Sequence, residues 1–340
     1  MRAITAQLPG VPEVLVPTEV PLPTPGPGEV LVKVAAAGVN FIDTYLRSGV
    51  YRTPFPIFPG SEGAGLIEQL GDGTEEFSLG QPVAWANSLT GSYAEYALVA
   101  ASQVLPLPPG LPLETAAALP LQGMTADYLT RSTYGVTRGT QAVIYAAAGG
   151  VGGLATQMAL AAGARVIATV GTADKIATVE AFGVEPSDII VLGAMSQLER
   201  QLPQAILERT NLAGADVIYD GIGQTTFRAT LAALRPRGMA VLYGGASGQV
   251  EPFDPQELNA HGSLYLTRPK LGDYSRTRQE LLDRAGRVLQ AAVSGDLVVR
   301  IGQRFALTNA VEAHRAIESG LTQGKILLIP GATTWDTPNQ

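Results

Sequence analysis

Apolar and polar positions alternate along this chain in two distinct styles. Over residues 1–120, short apolar runs are broken every few positions by glycine and proline, which predicts strands at Glu29–Ala35, Gly65–Leu70, Gln81–Ala86 and Tyr93–Val99. Even spacing of short strands predicts a small β-barrel. Near Glu114 the pattern changes: Leu113–Leu119 and Met124–Ser132 carry helical spacing. Compact apolar runs then alternate with helical stretches. The strands are Val143–Ala146, Arg165–Thr169, Ile189–Val191, Asp216–Asp220 and Met239–Tyr243, and the helices are 152–162, 173–182, 196–210 and 225–234. A sixth strand, Ser263–Thr267, follows an irregular stretch. Alternation of this kind predicts a parallel, doubly wound sheet. The last part is mixed, with a long helix over Thr277–Ser294, a strand at Arg300–Leu307, a helix at Asn309–Glu318 and a strand at Ile326–Ile329.

The expected fold class is therefore α/β, a doubly wound parallel sheet joined to a β-barrel. The expected domains are 1–124 for the first part of the barrel, 125–266 for the nucleotide-binding sheet, 267–330 for a return to the barrel, and 331–340 for a tail. The nucleotide domain is then an insertion, with an active cleft expected between the two domains.

The most informative stretch is Ala142-Val143-Ile144-Tyr145-Ala146-Ala147-Ala148-Gly149-Gly150-Val151-Gly152. It reads as a buried strand, a glycine turn and the first turn of a helix. Such a turn lets the backbone approach a bulky anion, and the helix aims its unpaired N–H groups at that anion. Ala147 stands where the first glycine of a strict G-x-G-x-x-G would be, but the flanking strand and helix support a dinucleotide site.

Composition narrows the function. The 340 residues are 46% hydrophobic and 16% charged, enough apolar material for two cores. A net charge of −7 without a basic cluster disfavours nucleic acid and anionic membranes as partners. There is no cysteine, which excludes disulfides, a thiol nucleophile and any cysteine-ligated zinc. No apolar run reaches the roughly 18 residues of a membrane span, and the first residues lack the apolar core of a signal peptide, so a cytoplasmic protein is expected. His261 and His314 are too isolated to suggest a metal site; His314 shares a helix face with Ala310, Val311 and Ile317 and reads as boundary packing. Trp85 and Trp335 form no stacking pattern for nucleic acid.

Several segments resemble the quinone oxidoreductase, zeta-crystallin-like branch of the medium-chain dehydrogenase/reductase superfamily. They are Gly38–Gly49, Ala146–Gly152, Thr169-Val170-Gly171-Thr172 with Lys175, Tyr219–Gly223, Gly262–Pro269 and Gln323-Gly324-Lys325. The resemblance runs in family order to about Pro330. It implies a GroES-like catalytic barrel plus a Rossmann domain, NADPH as cofactor, reduction of quinones or related electrophiles, and a homodimer. Zinc alcohol dehydrogenases carry Gly-His-Glu where this chain has Gly60-Ser61-Glu62, so the zinc-free branch and no metal are expected.

By this resemblance Asn40, Tyr45 and Tyr51 are the catalytic candidates, donors to an oxygen gaining charge. The alternative for Tyr45 is packing in the barrel core, and for Tyr51 capping a loop. Asn40 and Tyr45 are also cofactor-binding candidates, together with Phe41 of the same motif, and Asp43 either caps backbone or holds the nicotinamide ribose. Thr125 and Tyr128 are expected near the nicotinamide, with core packing the alternative for Tyr128. Gly149, Gly150 and Val151 form the pyrophosphate turn. Tyr243, Gly244 and Gly245 follow the fifth strand, whose carboxyl end should face a ligand. Arg268 and Lys325 are cations that the family places towards the cleft, against a solvated surface charge. Gly171, Thr172 and Lys175 follow the second strand, where NAD enzymes of this fold carry a carboxylate; no carboxylate appears until Asp174. The three suit a 2′-phosphate, although Leu192 stands where the family often has tyrosine. The expected activity is NADPH:quinone reduction. The alternatives are an NADPH-dependent enone or alkenal reductase and, in another class, a non-catalytic NADPH-binding crystallin-like or RNA-associated protein.

Overall fold

A computed structural model describes residues 1–192 and 197–331. The expected tail beyond Gly331, Trp335 within it, and the first residue of the helix expected at 196–210 lie outside the described residues. The chain divides into two compact units: Met1–Gln122 together with the chain from Thr277 onward, and Gly123–Arg276. The return to the first unit therefore comes at Thr277, not at 267. The intervening residues stay with the second unit because Tyr274 stacks on Tyr128, ring centroids 4.5 Å apart and nearly coplanar.

In the first unit, the eleven-residue strand Glu29–Val39 is the axis. Its first half pairs with Tyr96–Ala100, its length pairs with Glu62–Leu70, and its last three residues pair with Lys325–Ile329. Serving three partners leaves it buried along most of its length, which fits its run of valine, leucine and alanine. Two bulges on its pairing with Glu62–Leu70 bend and twist the strand, as a sheet rolled around a core requires. Pro82–Trp85, Leu105–Pro106 and Ile301–Ala306 complete the sheet. Ile4, Val32, Ile67, Trp85, Val99, Ile317 and Ile326 belong to one buried cluster. A hairpin of Arg2–Thr5 with Val16–Glu19 and the helix Phe41–Ser48 are additions the apolar pattern did not announce.

The second unit is a six-stranded sheet, parallel throughout. Numbered along the chain, the strands Gln141–Ile144, Arg165–Val170, Ile189–Val191, Ala215–Asp220, Leu234–Leu242 and Tyr265–Thr267 lie in the order 3-2-1-4-5-6. That is the doubly wound order whose direction reverses between strands 1 and 4, leaving a crevice at their carboxyl ends. Two expected helices come out shorter. The one over 173–182 is a 3-10 turn at Ala173–Lys175 followed by Ile176–Glu180. The one over 225–234 is Phe227–Ala233; Pro236 disfavours helix at Arg235, and strand begins at Leu234. No helix among the described residues is long and apolar enough to cross a membrane.

Candidate functional site

The glycine turn forms as its residues require. Strand Gln141–Ile144 is followed by Ala146 in a left-handed conformation at φ 52°, and Gly149 donates its N–H to the Ala146 carbonyl at 2.8 Å. Helix Gly150–Ala161 starts there. A Cβ on Gly152 would lie 2.3 Å from the Ala146 oxygen, so glycine is obligatory at that position. The amides of Gly150, Val151 and Gly152 open the helix and have no intrahelical acceptor. They stand at the carboxyl end of the first strand, beside the reversal in strand order, where the helix dipole also favours negative charge.

The second strand ends beside this turn, with Thr169 Oγ accepting the Ala146 N–H at 3.3 Å. Gly171 is exposed with open space around its Cα. Thr172 has its Oγ1 buried without a hydrogen-bond partner among the described residues. An orphaned hydroxyl at this position is costly unless a ligand oxygen meets it. Lys175 is only 6% exposed, so it is not a solvated surface charge, and burial holds its pKa below the usual lysine value. Orphaned hydroxyl, glycine turn and cation together fit a phosphorylated dinucleotide.

At the end of the fourth strand, the buried Asp220 carboxylate accepts from the N–H groups of Ile222 (2.8 Å) and Gly223 (2.9 Å) and from the hydroxyls of Thr226 (2.9 Å) and Thr230 (3.1 Å). Burial still raises its pKa above the ordinary value. Its backbone carbonyl accepts the N–H groups of Tyr243 and Gly244, which ties the fifth-strand end to the fourth, and Gly245 is buried next to them. Asp220 thus holds this loop from inside. The aspartate followed closely by glycine was a visible turn signal, but its structural use was not.

The first unit contains a buried polar cluster. Asn40 precedes helix Phe41–Ser48, and the Asp43 carboxylate reaches back to the Asn40 N–H at 2.9 Å, one half of a capping box. The Asn40 amide is fully engaged: Oδ1 accepts from Lys325 Nζ (2.8 Å) and Gln122 Nε2 (3.1 Å), while Nδ2 donates to Glu62 Oε1 (2.7 Å). Lys325 and Glu62 form an ion pair that is 2% and 0% exposed, and Glu62 Oε2 also accepts the Leu121 N–H at 2.7 Å. Burial pulls the Lys325 pKa down, opposed by Glu62. On the other side of Asp43, Tyr93 bridges to His314, and His314 contacts Arg47, which pairs with Glu318 at 2.6 Å.

Known proteins resemble this chain over nearly its whole length. The profile of the alcohol dehydrogenase GroES-like domain matches residues 26–109, and that of the zinc-binding dehydrogenase matches 150–287. A quinone oxidoreductase of Pseudomonas aeruginosa is 38% identical over 322 residues, covering 94% of this chain and 97% of its own. The Escherichia coli quinone oxidoreductase, solved in complex with NADPH, superposes with a TM-score of 0.92 at 37% identity, over 97% of this chain and 100% of that one. A 2-haloacrylate reductase of a Burkholderia species is 35% identical over 330 residues, 95% of this chain and 97% of its own. The chain belongs to the quinone oxidoreductase family of the medium-chain dehydrogenase/reductase superfamily.

Within this quinone oxidoreductase family member, the first unit is the GroES-like domain and the second the Rossmann domain. Tyr45 and Tyr51 come together, rings edge-to-face at 5.3 Å, with the Tyr51 N–H on the Tyr45 carbonyl at 3.1 Å. Phe41 lies next to Tyr45, centroids 6.2 Å apart. Both tyrosines reach the surface of the unit rather than its core: Tyr51 is 36% exposed and Tyr45 half-buried. Asp43 has no exposed surface, and its oxygens are filled from within, so the capping arrangement is the one found. Lys325 is likewise interior, not a solvated charge. Arg268 is exposed and donates to the Leu242 carbonyl at 2.9 Å. Thr125 and Tyr128 are buried, and Tyr128 takes the packed arrangement against Tyr274. His314 is completely buried among polar partners, not packed at an apolar boundary. No group of three or more candidate ligand side chains is placed to hold a metal ion among the described residues. Sequence reasoning missed Glu62, Tyr93, Arg47 and Gln122 as parts of the cluster, because each meets partners far away along the chain.

Proposed function

We propose that this chain is an NADPH-dependent quinone oxidoreductase that works without metal. The carrying observation is the glycine turn Ala146–Gly152 at the strand-order reversal, in a chain related over nearly its full length to quinone oxidoreductases. When bound, the nicotinamide supplies the hydride. The amides of Gly150, Val151 and Gly152 receive the pyrophosphate charge. Thr172 Oγ1 would donate to a 2′-phosphate and Lys175 would supply the positive charge for it, with Leu192 in place of a further polar partner. Tyr243, Gly244 and Gly245 border the cofactor from the fifth strand. Tyr45 and Tyr51 offer phenol hydrogens to the quinone oxygen as it gains charge. The Asn40 amide gives its hydrogens to Glu62 Oε1 and the Gly38 carbonyl, so it acts as a positioning residue that fixes the entry to helix Phe41–Ser48.

Metal independence follows from the residues present: Ser61 replaces the zinc-binding histidine, and no cysteine exists in the chain. The protein is a cytoplasmic homodimer in this reading, without nucleic acid or membrane partners. Strand Tyr265–Thr267 lies at the edge of the parallel sheet with Tyr265 59% exposed, and an open edge pairs readily with its symmetry mate. Light scattering at micromolar concentration should find two chains per particle; a monomer would remove this part.

The deciding experiment follows NADPH oxidation against a panel of quinones and a panel of enones and haloacrylates, before and after exhaustive chelation. Quinones should be reduced faster and chelation should change nothing. The kinship to a 2-haloacrylate reductase gives the second reading its basis. Preference for activated alkenes would establish that reading in place of the first.

A further inference from the structure

Among the described residues, proton exchange between Asp43 and its surroundings has one open route. Asp43 Oδ2 accepts the Asn40 N–H (2.9 Å) and the Tyr93 hydroxyl (3.2 Å), and Oδ1 accepts the Ser61 N–H (3.1 Å) and the Ser61 hydroxyl (2.8 Å). Backbone N–H groups do not relay protons. The Tyr93 branch is closed further in. A guanidinium has only donors, so Arg47 Nη1 donates to His314 Nδ1 at 3.2 Å. That assigns the ring hydrogen of His314 to Nε2, which lies 3.2 Å from the Tyr93 oxygen. Hydrogens along Arg47, His314 and Tyr93 thus all point towards Asp43. Ser61 is different: it combines a hydroxyl, able to accept and donate at once, with a half-buried position at the surface of the unit. Gly60 makes that position available. It sits at φ +97°, and a Cβ there would lie 2.4 Å from the Tyr93 ring.

We infer that Asp43 and Ser61 form a proton-donating couple, in which Asp43 stores a proton inside the first unit and Ser61 Oγ passes it to the substrate oxygen. This rests on the quinone reading. Hydride addition to a quinone leaves a hydroquinone monoanion, one proton short of product. The Oδ1–H bond of Asp43 breaks as Ser61 Oγ takes that proton, and the Ser61 O–H bond breaks as the hydroquinone oxygen takes the next. Asp43 is left as carboxylate and refills from water by the same path; no electrons move in this step. The charged groups around Asp43 oppose one another. Glu62 from its strand raises the Asp43 pKa and Lys325 from the last strand lowers it. Arg47 lies on the same helix, and His314 and Glu318 come from helix Ala310–Glu318. Burial is the largest influence and lifts Asp43 to about 6. A carboxyl group there exchanges its proton near neutrality, as a general acid should.

The test uses the cofactor-free full chain with labelled aspartate carboxyls, titrated by infrared spectroscopy, as wild type, Ser61→Ala, Ser61→Thr and Tyr93→Phe. One aspartate should protonate near neutrality and move up by about one unit in Tyr93→Phe, which removes a donor to the anion. Its deuterium exchange should slow by about tenfold in Ser61→Ala and stay as in wild type in Ser61→Thr, because only the hydroxyl relays. In turnover, Ser61→Ala should lower quinone kcat by roughly a hundredfold, with NADPH affinity unchanged and Ser61→Thr restoring the rate. No such aspartate, or exchange in Ser61→Ala equal to wild type, would overturn the couple. Ser61-dependent exchange in a protein that reduces no quinone would uphold the couple and overturn the quinone reading instead.

Discussion

Replacing His314 with glutamine should change how stability depends on pH, and the structure gives the sign and size. His314 is fully buried, with Arg47 on one ring nitrogen and Tyr93 on the other, the Tyr93 ring edge-on at 5.7 Å. Burial first, and then the Arg47 charge, push its pKa from 6.5 down to about 3. In the unfolded chain histidine titrates at about 6.5. Between those values the unfolded state binds a proton that the folded state refuses. Stability therefore rises with pH across that window, at about 1.4 kcal/mol per unit. This contribution is complete above the unfolded value and is lost as pH falls towards the folded one, roughly 5 kcal/mol as an upper limit. Asp43 acts in the opposite sense. Its pKa is raised by burial from 3.8 to about 6, so in that interval the folded state holds the extra proton and stability falls as pH rises. In the wild type the two slopes cancel over their common range. The glutamine amide keeps a carbonyl for Arg47 and a donor for Tyr93 but does not titrate, so Asp43 alone remains. The stability gap between wild type and His314→Gln should widen by about 3 kcal/mol from about pH 4 to about pH 6. Urea unfolding of both proteins across that range measures the gap directly. A gap of constant size would refute the burial argument for His314.

Lys325→Met should destabilise the protein by about 3–5 kcal/mol in urea unfolding, since it strands the buried Glu62 carboxylate. The double variant with Glu62→Gln should recover a large part of that loss. Tyr45→Phe should slow quinone reduction by the equivalent of roughly 1–4 kcal/mol without weakening NADPH in direct binding measurements; unchanged turnover with every accepted quinone would remove the phenol from the mechanism. Lys175→Ala should cost a charge-assisted phosphate contact of roughly 1.5–3 kcal/mol, about ten- to a hundredfold in NADPH affinity, and leave NADH nearly as before. Equal losses for both nucleotides would take Lys175 away from the 2′-phosphate.

The parallel sheet was legible because its strands are covered on both faces. Val143-Ile144, Ile167-Ala168 and Val217-Ile218 announce burial on their own, whatever surrounds them. The glycine turn was legible for a related reason, since Gly152 answers a local backbone contact. Helix Phe41–Ser48 was not, because its buried residues are Asp43, Thr44 and Arg47. A helix that turns polar side chains inwards inverts the pattern by which helices are recognised. The cluster it joins was equally hidden. Arg47 meets His314 across 267 positions and Asn40 meets Lys325 across 285, so no local window contains a pair. Family resemblance pointed to Asn40, Asp43 and Lys325 individually, but only the fold shows that they satisfy one another.

The Glu62–Lys325 pair also sets an order of events during synthesis. The first unit is made from both ends of the described chain, and the counter-charge for Glu62 arrives 263 residues after it. A nascent chain that has produced Gly123–Arg276 holds every strand of the parallel sheet, while Glu29–Val39 still lacks its neighbour Lys325–Ile329. The nucleotide unit can therefore consolidate on the ribosome while the other waits, and domains generally do fold as units in that way. Closing a loop of this length is slow for a pairing so distant in sequence. During that wait the Glu62 carboxylate, bound for the interior, is without the counter-charge that strand Lys325–Ile329 brings.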